Sequence, residues 1–454
     1  MHPARRDLLA WTAAGATASL PHVPAGAASI ASPSALGVDA AQFGLRPGSG
    51  EDQSQTLQRA IDETARIGTP LALAPGTYRA GNLNLRTGTQ LHGVRGATRI
   101  LLSDGASLMT AKGAGHVTLS GLTLDGGNRP LPERRGLVQL ESCDSLKIAD
   151  CRMQGAGGNA LVAVAVAGAV SDTTISDTAG AAIHALDSRG LVIARNRIEG
   201  AGDNGIQVWR SLPGDDGTLV IDNRVESIAN RSGGSGQFGN GINVFRAANV
   251  TVRGNRISKC AFSAVRGNAA SNIHVDGNVI TEAGEVAIYA EFGFEGALIT
   301  GNTVDGAAIG ISATNFNEGG RLAIVQGNLI RNLLPKRPAG TDPSDAAGIG
   351  ISVEADSTVT GNIVEQAPTA GIMLGWGRYL RDISVTGNLI RKAGIGIAVS
   401  VAPGAGTTLI AANIIAEASG GAIVGMARSR PVTGDLIGGA AQYAHLSISG
   451  NRLR

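Results

Sequence analysis

The sequence is poor in aromatic residues, cysteine and charge. Aromatic residues make up 3% of the 454 residues, charged residues make up 16%, and there are three cysteines. Cys143, Cys151 and Cys260 form neither a disulfide framework nor a CxxC metal site, so we expect small, buried hydrophobic side chains. The 38 basic residues nearly balance the 36 acidic ones and form no basic stripe, which argues against a nucleic-acid partner.

Glycine is abundant while proline is not. The chain has 66 glycines, about twice the usual share, and only 16 prolines. The glycines follow no period of three, which excludes a collagen-like chain, and 43% hydrophobic residues exclude a disordered one. Because a glycine inside a helix costs about 1 kcal/mol, this composition favours short strands joined by tight turns.

Residues 1–28 are typical of an export signal. Arg5-Arg6 precede an apolar stretch at 8–20, and Ala25-Gly26-Ala27 fits a small-residue cleavage site. The arginine pair resembles a twin-arginine signal. That resemblance implies a partner in the twin-arginine export machinery and a mature chain that works in the periplasm or outside the cell. No later stretch reaches 18 apolar residues, so we expect no transmembrane segment in the mature chain.

An internal repeat runs along most of the chain. Ten similar segments carry an asparagine at the same place, and their nine intervals span 255 residues, which is about 28 each. A degenerate copy at 146–153 has Cys151 at that place. The marker residues are Asn196, Asn223, Asn255, Asn278, Asn302, Asn328, Asn362, Asn388, Asn413 and Asn451. A second motif, of the Gly-Ile type, follows most markers, as at 205–209, 241–245 and 287–291.

This pattern predicts an all-β fold, a right-handed single-stranded parallel β-helix. Each repeat holds short alternating strands and leaves no room for an ordinary helix. Such a unit buries its apolar face only by stacking on its neighbours. We expect the marker asparagines to adopt the left-handed conformation at a bend and to form a ladder of stacked amides. A propeller blade would need a longer period.

The N-terminal part predicts a short capping helix at 53–68, with apolar spacing at Leu57, Ala60, Ile61, Ala65 and Ile67. A strand, a Pro-Gly turn and further strands follow, and this order resembles the start of pectin-lyase-like β-helix proteins. The resemblance covers about residues 38–454 and implies a helix that covers the first coil. The mature chain, 29–454, is then one β-helix domain. The twin arginines and asparagine repeats also resemble the bacterial "TAT-translocated repetitive protein" family, which implies no known activity.

The chemistry is less well specified than the fold. The carboxylate motifs of polygalacturonase-like hydrolases, the WxDH pattern of pectate lyases and the DPHD motif of alginate epimerases are missing. The seven histidines show no ligand spacing, and no motif supports calcium, so we expect no metal and no cofactor.

A binding groove is predicted on the outer face of the Gly-Ile strands. Because the isoleucine points inward, the residues one and three positions later point outward. Long insertions border these strands, and eight of the 14 aromatic residues lie between Trp209 and Phe316. Aromatic rings stack on sugar faces while amides bind hydroxyls. The candidate substrate-binding residues are Gln207, Trp209, Arg210, Asn243, Phe245, Arg246, Asn268 and Asn315.

Two cleavage mechanisms remain open for this groove. For β-elimination, Arg266 or Arg246 would neutralise a uronate carboxylate, and Tyr289 or His184 would act as base or acid. For hydrolysis, Glu291 and Glu354 lie two coils apart, about 9.6 Å, at the limit for an inverting pair.

Two interpretations of function also remain open. In the first, an exported protein binds an extended polysaccharide and, if it is catalytic, acts as a lyase or a glycoside hydrolase. In the second, a non-catalytic envelope repeat protein binds a glycan or a protein partner. The outward aromatic residues have a plain structural alternative as well, since loops can cover them as small satellite cores.

Overall fold

The computed structural model describes residues 37–342 and 345–454. Within these ranges the chain forms 44 strands, one α-helix and three 3-10 helices, Ala40–Phe43, Phe316–Glu318 and Ala440–Gln442. The strands wind into a right-handed parallel β-solenoid of about 14 turns, which confirms the predicted fold class. The export signal predicted at 1–28 lies outside the described residues.

A typical coil has three strands, for example Ile273–Asp276, Val279–Ala283 and Val286–Glu291. Equivalent strands of successive coils pair in parallel and build three faces of the solenoid. We call them face 1, which precedes the marker asparagine, face 2, which follows it, and face 3, which carries the Gly-Ile motif. Every ladder within these faces is parallel except one hairpin near the C-terminus, where Ile423–Ala427 pairs with Arg430–Asp435.

Face 1 is a sheet of 16 strands. They are Val38–Asp39, Leu71–Ala72, Thr89–His92, Val117–Ser120, Leu146–Ala149, Gly168–Ser171, Val192–Ala194, Leu219–Ile221, Thr251–Arg253, Ile273–Asp276, Glu295–Thr300, Arg321–Gln326, Ala355–Thr360, Arg381–Thr386, Thr408–Ala411 and Leu446–Ser449.

Faces 2 and 3 join into one sheet of 28 strands, because Ile363–Leu374 and Leu389–Ser400 run through both faces. The other strands of face 2 are Gly76–Ala80, Thr98–Leu102, Thr123–Asp125, Arg152–Gln154, Thr174–Thr178, Arg197–Ala201, Arg224–Ile228, Arg256–Cys260, Val279–Ala283, Thr303–Asp305, Leu329–Arg331, Ile414–Ala418 and Arg452–Leu453. Those of face 3 are Leu83–Asn84, Met109–Lys112, Gly136–Glu141, Asn159–Val164, Ile183–Leu186, Asn204–Asp215, Asn240–Ala248, Val265–Asn268, Val286–Glu291, Ile309–Ala313, Ile349–Val353, Ile423–Ala427 and Arg430–Asp435.

The N-terminal helix runs from Ser54 to Arg66, slightly shorter than predicted. Its buried residues are Leu57, Ala60, Ile61 and Thr64, and they pack against the core of the first coils. Ile67 was expected on this face, but it follows the last helical residue and is 47% exposed.

The ten marker asparagines form one continuous ladder, as predicted. In each step, the backbone N–H and the Nδ2 group of one asparagine donate to Oδ1 of the next, at 2.9 and 3.0 Å for Asn255 and Asn278. Thr173 begins the ladder by donating its N–H to Asn196, and Cys151 occupies the coil before it. Asn278 and its neighbours in the middle of the ladder are fully buried.

The left-handed bend was assigned to the wrong residue. In every repeat the positive φ belongs to the residue before the asparagine, such as Arg195, Asp222 and Gly254, and not to the asparagine itself. The bend therefore turns the chain, and the asparagine that follows it supplies the amide ladder.

The core inside the three faces is aliphatic and continuous from the first to the last coils. Cys143, Cys151 and Cys260 are free thiols buried in this core, which confirms their predicted place. Burial raises the pKa of the Cys151 thiol to about 11.

Candidate functional site

The register of face 3 places the predicted site residues in two parallel stripes on its outer surface. The first stripe is His184, Gln207, Asn243, Arg266, Tyr289, Ser312 and Ser352. The second is Leu186, Trp209, Phe245, Asn268 and Glu291. Residues from four coils that are up to 82 positions apart in sequence, Trp209 to Glu291, therefore share one surface.

A cleft of about 440 Å³ lies over these stripes. The insertion 230–241 forms one side and contributes three residues, and the corner residue Phe292 lies on the other. Four aromatic side chains and four amide or hydroxyl side chains surround the space, with one arginine. The lining residues are Trp209, Ser235, Gln237, Phe238, Asn243, Phe245, Arg266, Asn268 and Phe292.

The aromatic side chains of the cleft pack edge to face. The ring of Trp209 lies 5.8 Å from that of Phe245 and 5.3 Å from that of His184. The indole Nε1 of Trp209 donates to Oδ1 of Asn243 at 3.1 Å. The guanidinium of Arg246 covers the Phe245 ring at 4.6 Å. Both rings are half-buried, so each has an accessible edge or face held in a fixed orientation.

Hydrogen bonds fix the insertion 230–241 against the sheet. The carbonyl of Gln237 accepts from Nδ2 of Asn204 and Nδ2 of Asn243, both at 3.2 Å. Asp203 accepts from the backbone N–H and the hydroxyl of Ser232 at 2.8 Å. The wall of the cleft is thus preformed rather than assembled when a ligand arrives.

Arg266 lies in the floor of the cleft with its guanidinium engaged by carboxylates. Nε and Nη2 donate to the two oxygens of Glu291 at 2.6 and 2.9 Å, and Nη1 donates to Glu285 at 3.2 Å. Only 11% of the Arg266 side chain is exposed. Arg337, from the insertion 332–348, donates to the other oxygen of Glu285 at 2.8 Å.

Glycine is required at position 236 because the insertion passes directly over Arg266. Gly236 has a φ of +135°, and a Cβ at this position would overlap the Nη1 atom of Arg266. The guanidinium also lies 5.2 Å from the centre of the Tyr289 ring. Arg266 therefore lies against both a loop and a ring, and the shape of the cleft depends on it.

Tyr289 is half-buried and does not line the cleft. Its ring packs in a small apolar cluster with Val286, Ile309, Ile349 and Met373. Burial, followed by the charge of Glu291, raises the pKa of its hydroxyl well above the usual value. For this residue the structural alternative, a satellite core under the insertion 332–348, describes what is observed.

His184 lies far from Tyr289 and pairs with an amide. Its Nδ1 is 2.6 Å from Oε1 of Gln207. Burial lowers the pKa of His184, and the hydrogen bond to Gln207 opposes that change. Four coils separate His184 from Tyr289, about 19 Å along the solenoid, so the two do not act on one bond.

The two candidate carboxylates are both engaged. Glu291 is held by Arg266 and also accepts from Nδ2 of Asn268 at 2.9 Å. Glu354 accepts from the backbone N–H of Phe316 at 2.7 Å. Burial raises the pKa of both carboxyls, and their hydrogen-bond donors oppose that rise.

The remaining predicted residues lie at the corner where face 3 ends. Asn315 accepts from the backbone N–H of Phe292 at 3.2 Å and so positions that ring. Arg246 donates to the carbonyl of Ser211 at 3.2 Å. The Nε atom of Arg210 is buried with no hydrogen-bond partner among the described residues.

Sequence reasoning missed several residues of the site. Gln237 and Phe238 lie in an insertion that has no repeat register, and Arg337 lies in another. Phe292 follows the outward stripe at a coil corner, where φ is +57°. An alignment of the corner positions of the repeats would have identified Phe292. Glu285, just before a strand of face 3, has no comparable pattern in the sequence.

Residues 37–342 and 345–454 contain no group of three or more His, Cys, Asp or Glu side chains arranged to hold a metal ion. In the same residues, no helix is both long and apolar enough to cross a membrane.

The family described as "Right handed beta helix region" matches residues 167–330 and 211–390. No curated protein sequence matches the chain. Among solved structures, the surface adhesin PfbA of Streptococcus pneumoniae is 15% identical, with a TM-score of 0.51 and coverage of 85% of this chain and 91% of that one.

Two further structures have the same fold. The N-terminal fragment of gene product 12 of bacteriophage phi29 is 11% identical, with a TM-score of 0.52 and coverage of 85% and 87%. The catalytic domain of a GH87 α-1,3-glucanase, in complex with nigerose, is 12% identical, with a TM-score of 0.51 and coverage of 90% and 70%.

These likenesses establish the architecture and leave the activity open. The resemblance to the twin-arginine-translocated repetitive family stays a prediction. The chain is a right-handed parallel β-helix protein, and its central coils match the right-handed β-helix region family.

Proposed function

We propose that this protein binds a polysaccharide in the cleft on face 3. The observation that carries the proposal is the group of four aromatic side chains and several amides around a preformed cleft of about 440 Å³. Aromatic faces stack on the apolar faces of pyranose rings, and amides exchange hydrogen bonds with hydroxyl groups. A solenoid surface extends along one axis, as a polysaccharide chain does.

Binding is favoured over cleavage because the candidate catalytic groups are occupied. Arg266 and Glu291 neutralise each other, and Glu354 accepts a hydrogen bond from the backbone of Phe316. The Tyr289 ring is half-buried against apolar side chains, and burial raises the pKa of its hydroxyl, which disfavours action as a base. Acid and base catalysts need access to the reacting atoms within hydrogen-bond reach. The roles of these residues in elimination or hydrolysis stay predictions.

The proposal includes export. The pair Arg5-Arg6 and the cleavage-site pattern at 25–27 support a twin-arginine route, and a glycan-binding protein would meet its ligand in the periplasm or outside the cell. The adhesin of Streptococcus pneumoniae, similar in fold, is a surface protein.

The test is a binding screen of the mature chain, 29–454, on a glycan array, followed by calorimetry. We expect Trp209→Ala to weaken binding at least tenfold, which corresponds to about 1.4 kcal/mol. Trp376→Ala is the matched control, since Trp376 is also half-buried but lies outside the cleft. The glycan affinity of this variant should stay within twofold of that of the unaltered chain. Far-UV circular dichroism verifies that both variants are folded.

Two results would contradict the proposal. One is the absence of glycan binding across the array. The other is equal loss of affinity in the Trp209 and Trp376 variants, which would place the ligand elsewhere. Release of reducing ends, or of products that absorb near 230 nm, would show cleavage instead of simple binding.

A further inference from the structure

The charges beneath the cleft are paired with one another. Two arginines and two glutamates form the group: Arg266, Arg337, Glu285 and Glu291. No more than 11% of any of these side chains is exposed. The two positive and two negative charges cancel within the group, and Arg337 also lies 3.6 Å from the exposed carboxylate of Asp345.

Arg266 is the only charged residue that lines the cleft, within the part of the chain that the structure describes. Three of its nitrogen atoms already donate to carboxylate oxygens at 2.6 to 3.2 Å. Gly236 of the insertion lies against the guanidinium, and the Tyr289 ring lies 5.2 Å from it. A ligand carboxylate would have to displace Glu291 or Glu285 to pair with Arg266.

An anionic ligand would therefore lose water in the cleft without gaining Arg266 as a counter-ion. Arg246, the other candidate partner of a uronate, does not line the cleft, since its guanidinium lies over the Phe245 ring and donates to the Ser211 carbonyl. A buried charge without a partner costs several kcal/mol. A cationic sugar meets the same difficulty, because Glu285 and Glu291 are 3% and 2% exposed and already paired. The accessible contacts are aromatic faces, the exposed side chains of Ser235 and Gln237, and half-buried Asn268.

From this arrangement we infer that the cleft selects uncharged sugars and rejects both uronates and sugars with a free, protonated amino group. The inference rests on the proposed function, since it specifies the ligand class of the same cleft. It also separates two sugar chemistries that the sequence left open, because Arg266 was a candidate partner for a uronate.

The experiment compares hexasaccharides of equal length by calorimetry on the mature chain. The neutral probes are hexamers of β-1,4-glucose, β-1,3-glucose, α-1,3-glucose and β-1,4-N-acetylglucosamine. The acidic probes are hexamers of α-1,4-galacturonate and β-1,4-mannuronate, and the basic probe is the β-1,4-glucosamine hexamer. We expect one or more neutral probes to bind at least tenfold more tightly than every charged probe. Raising NaCl from 50 to 500 mM should change that affinity by less than twofold, since no ion pair forms.

A variant that removes one carboxylate from Arg266 provides a second, independent test. Glu291→Gln keeps the size of the side chain but leaves Arg266 with one carboxylate, which Arg337 shares. We expect the ratio of acidic to neutral affinity to rise at least tenfold. Glu226→Gln, an exposed partner of Lys259 on face 2, is the matched control and should leave the ratio unchanged.

The outcomes separate the two proposals. An acidic or basic probe that binds more tightly than every neutral one, through Trp209, overturns the inference and keeps the glycan-binding function. Binding of no probe and no array glycan overturns the proposed function, and the inference with it. Circular dichroism and thermal melting show whether Glu291→Gln folds. If it does not, the probe comparison and the salt series on the unaltered chain decide whether the cleft prefers uncharged sugars.

Discussion

Replacing Asn278 by alanine tests the amide ladder at its most buried point. The substitution removes four side-chain hydrogen bonds. Oδ1 of Asn278 accepts from the backbone N–H and from Nδ2 of Asn255, and Nδ2 of Asn278 donates to the Val252 carbonyl and to Oδ1 of Asn302, all at 2.9 to 3.0 Å. Asn278 is fully buried, so water does not reach the groups left behind.

The magnitude follows from which groups keep a partner. Nδ2 of Asn255 still donates to the Val220 carbonyl, and Oδ1 of Asn302 still accepts from the Asn278 backbone. The backbone N–H of Asn255 loses its acceptor outright, at about 1–3 kcal/mol, and the other lost bonds add about 1 kcal/mol each. We expect Asn278→Ala to lower the free energy of unfolding by about 4–6 kcal/mol.

Asn451→Ala is the matched control because Asn451 ends the same ladder. It accepts from the N–H and Nδ2 groups of Asn413 and donates to the Ile410 carbonyl, but it is half-exposed. Water replaces its lost bonds, so we expect a cost of about 1 kcal/mol or less. Urea unfolding measures both costs, and hydrogen exchange should show lost protection at the Asn255 amide. Equal costs for the two variants, or less than about 1 kcal/mol for Asn278→Ala, would refute this account of the ladder.

Three further predictions concern the cleft. Arg266→Met leaves Glu285 and Glu291 without their shared partner, so it should lower the free energy of unfolding by about 3–5 kcal/mol. Arg195→Met, at the solvent-exposed pair with Asp172, should lower it far less, because water screens that pair. Equal losses in urea unfolding contradict the argument. Gly236→Ala introduces a Cβ that overlaps Arg266, so it should lower glycan affinity at least fivefold. Gly233→Ala places its Cβ in open space and should leave the affinity unchanged, and calorimetry compares the two variants. Burial lowers the pKa of His184 in the folded chain, so the unfolded chain binds the proton more readily. The free energy of unfolding should therefore be highest above about pH 6.5 and should fall as the pH drops below that value. Trp209 fluorescence should report the same protonation, with a midpoint below about pH 6.5. A midpoint at or above that pH, or a transition that persists unchanged in His184→Gln, would refute the lowered pKa of His184.

The solenoid and its outward stripes were predictable because both follow from a period in the sequence. The marker asparagines give the coil length, and the isoleucines of the Gly-Ile motif give the inward face, so Gln207, Asn243 and Tyr289 follow by counting. Which of these side chains remain accessible was not predictable. That depends on the insertions 230–241 and 332–348, whose residues belong to no repeat and whose contacts are made with distant coils.

The same geometry explains why Arg266 and Glu291, two of the charged candidates, are paired with each other. Successive coils lie about 4.8 Å apart, so any outward charge has neighbours from two other coils within reach of its side chain. Arg266 reaches Glu291 diagonally across one coil spacing, and Glu285 comes within reach from the corner before the same strand. Under an insertion that excludes water, an unpaired charge on such a surface would be costly, and pairing is the stable arrangement. The aromatic side chains carry no such penalty and keep accessible edges, so in this part of the solenoid they, rather than the charges, are the groups left to contact a ligand.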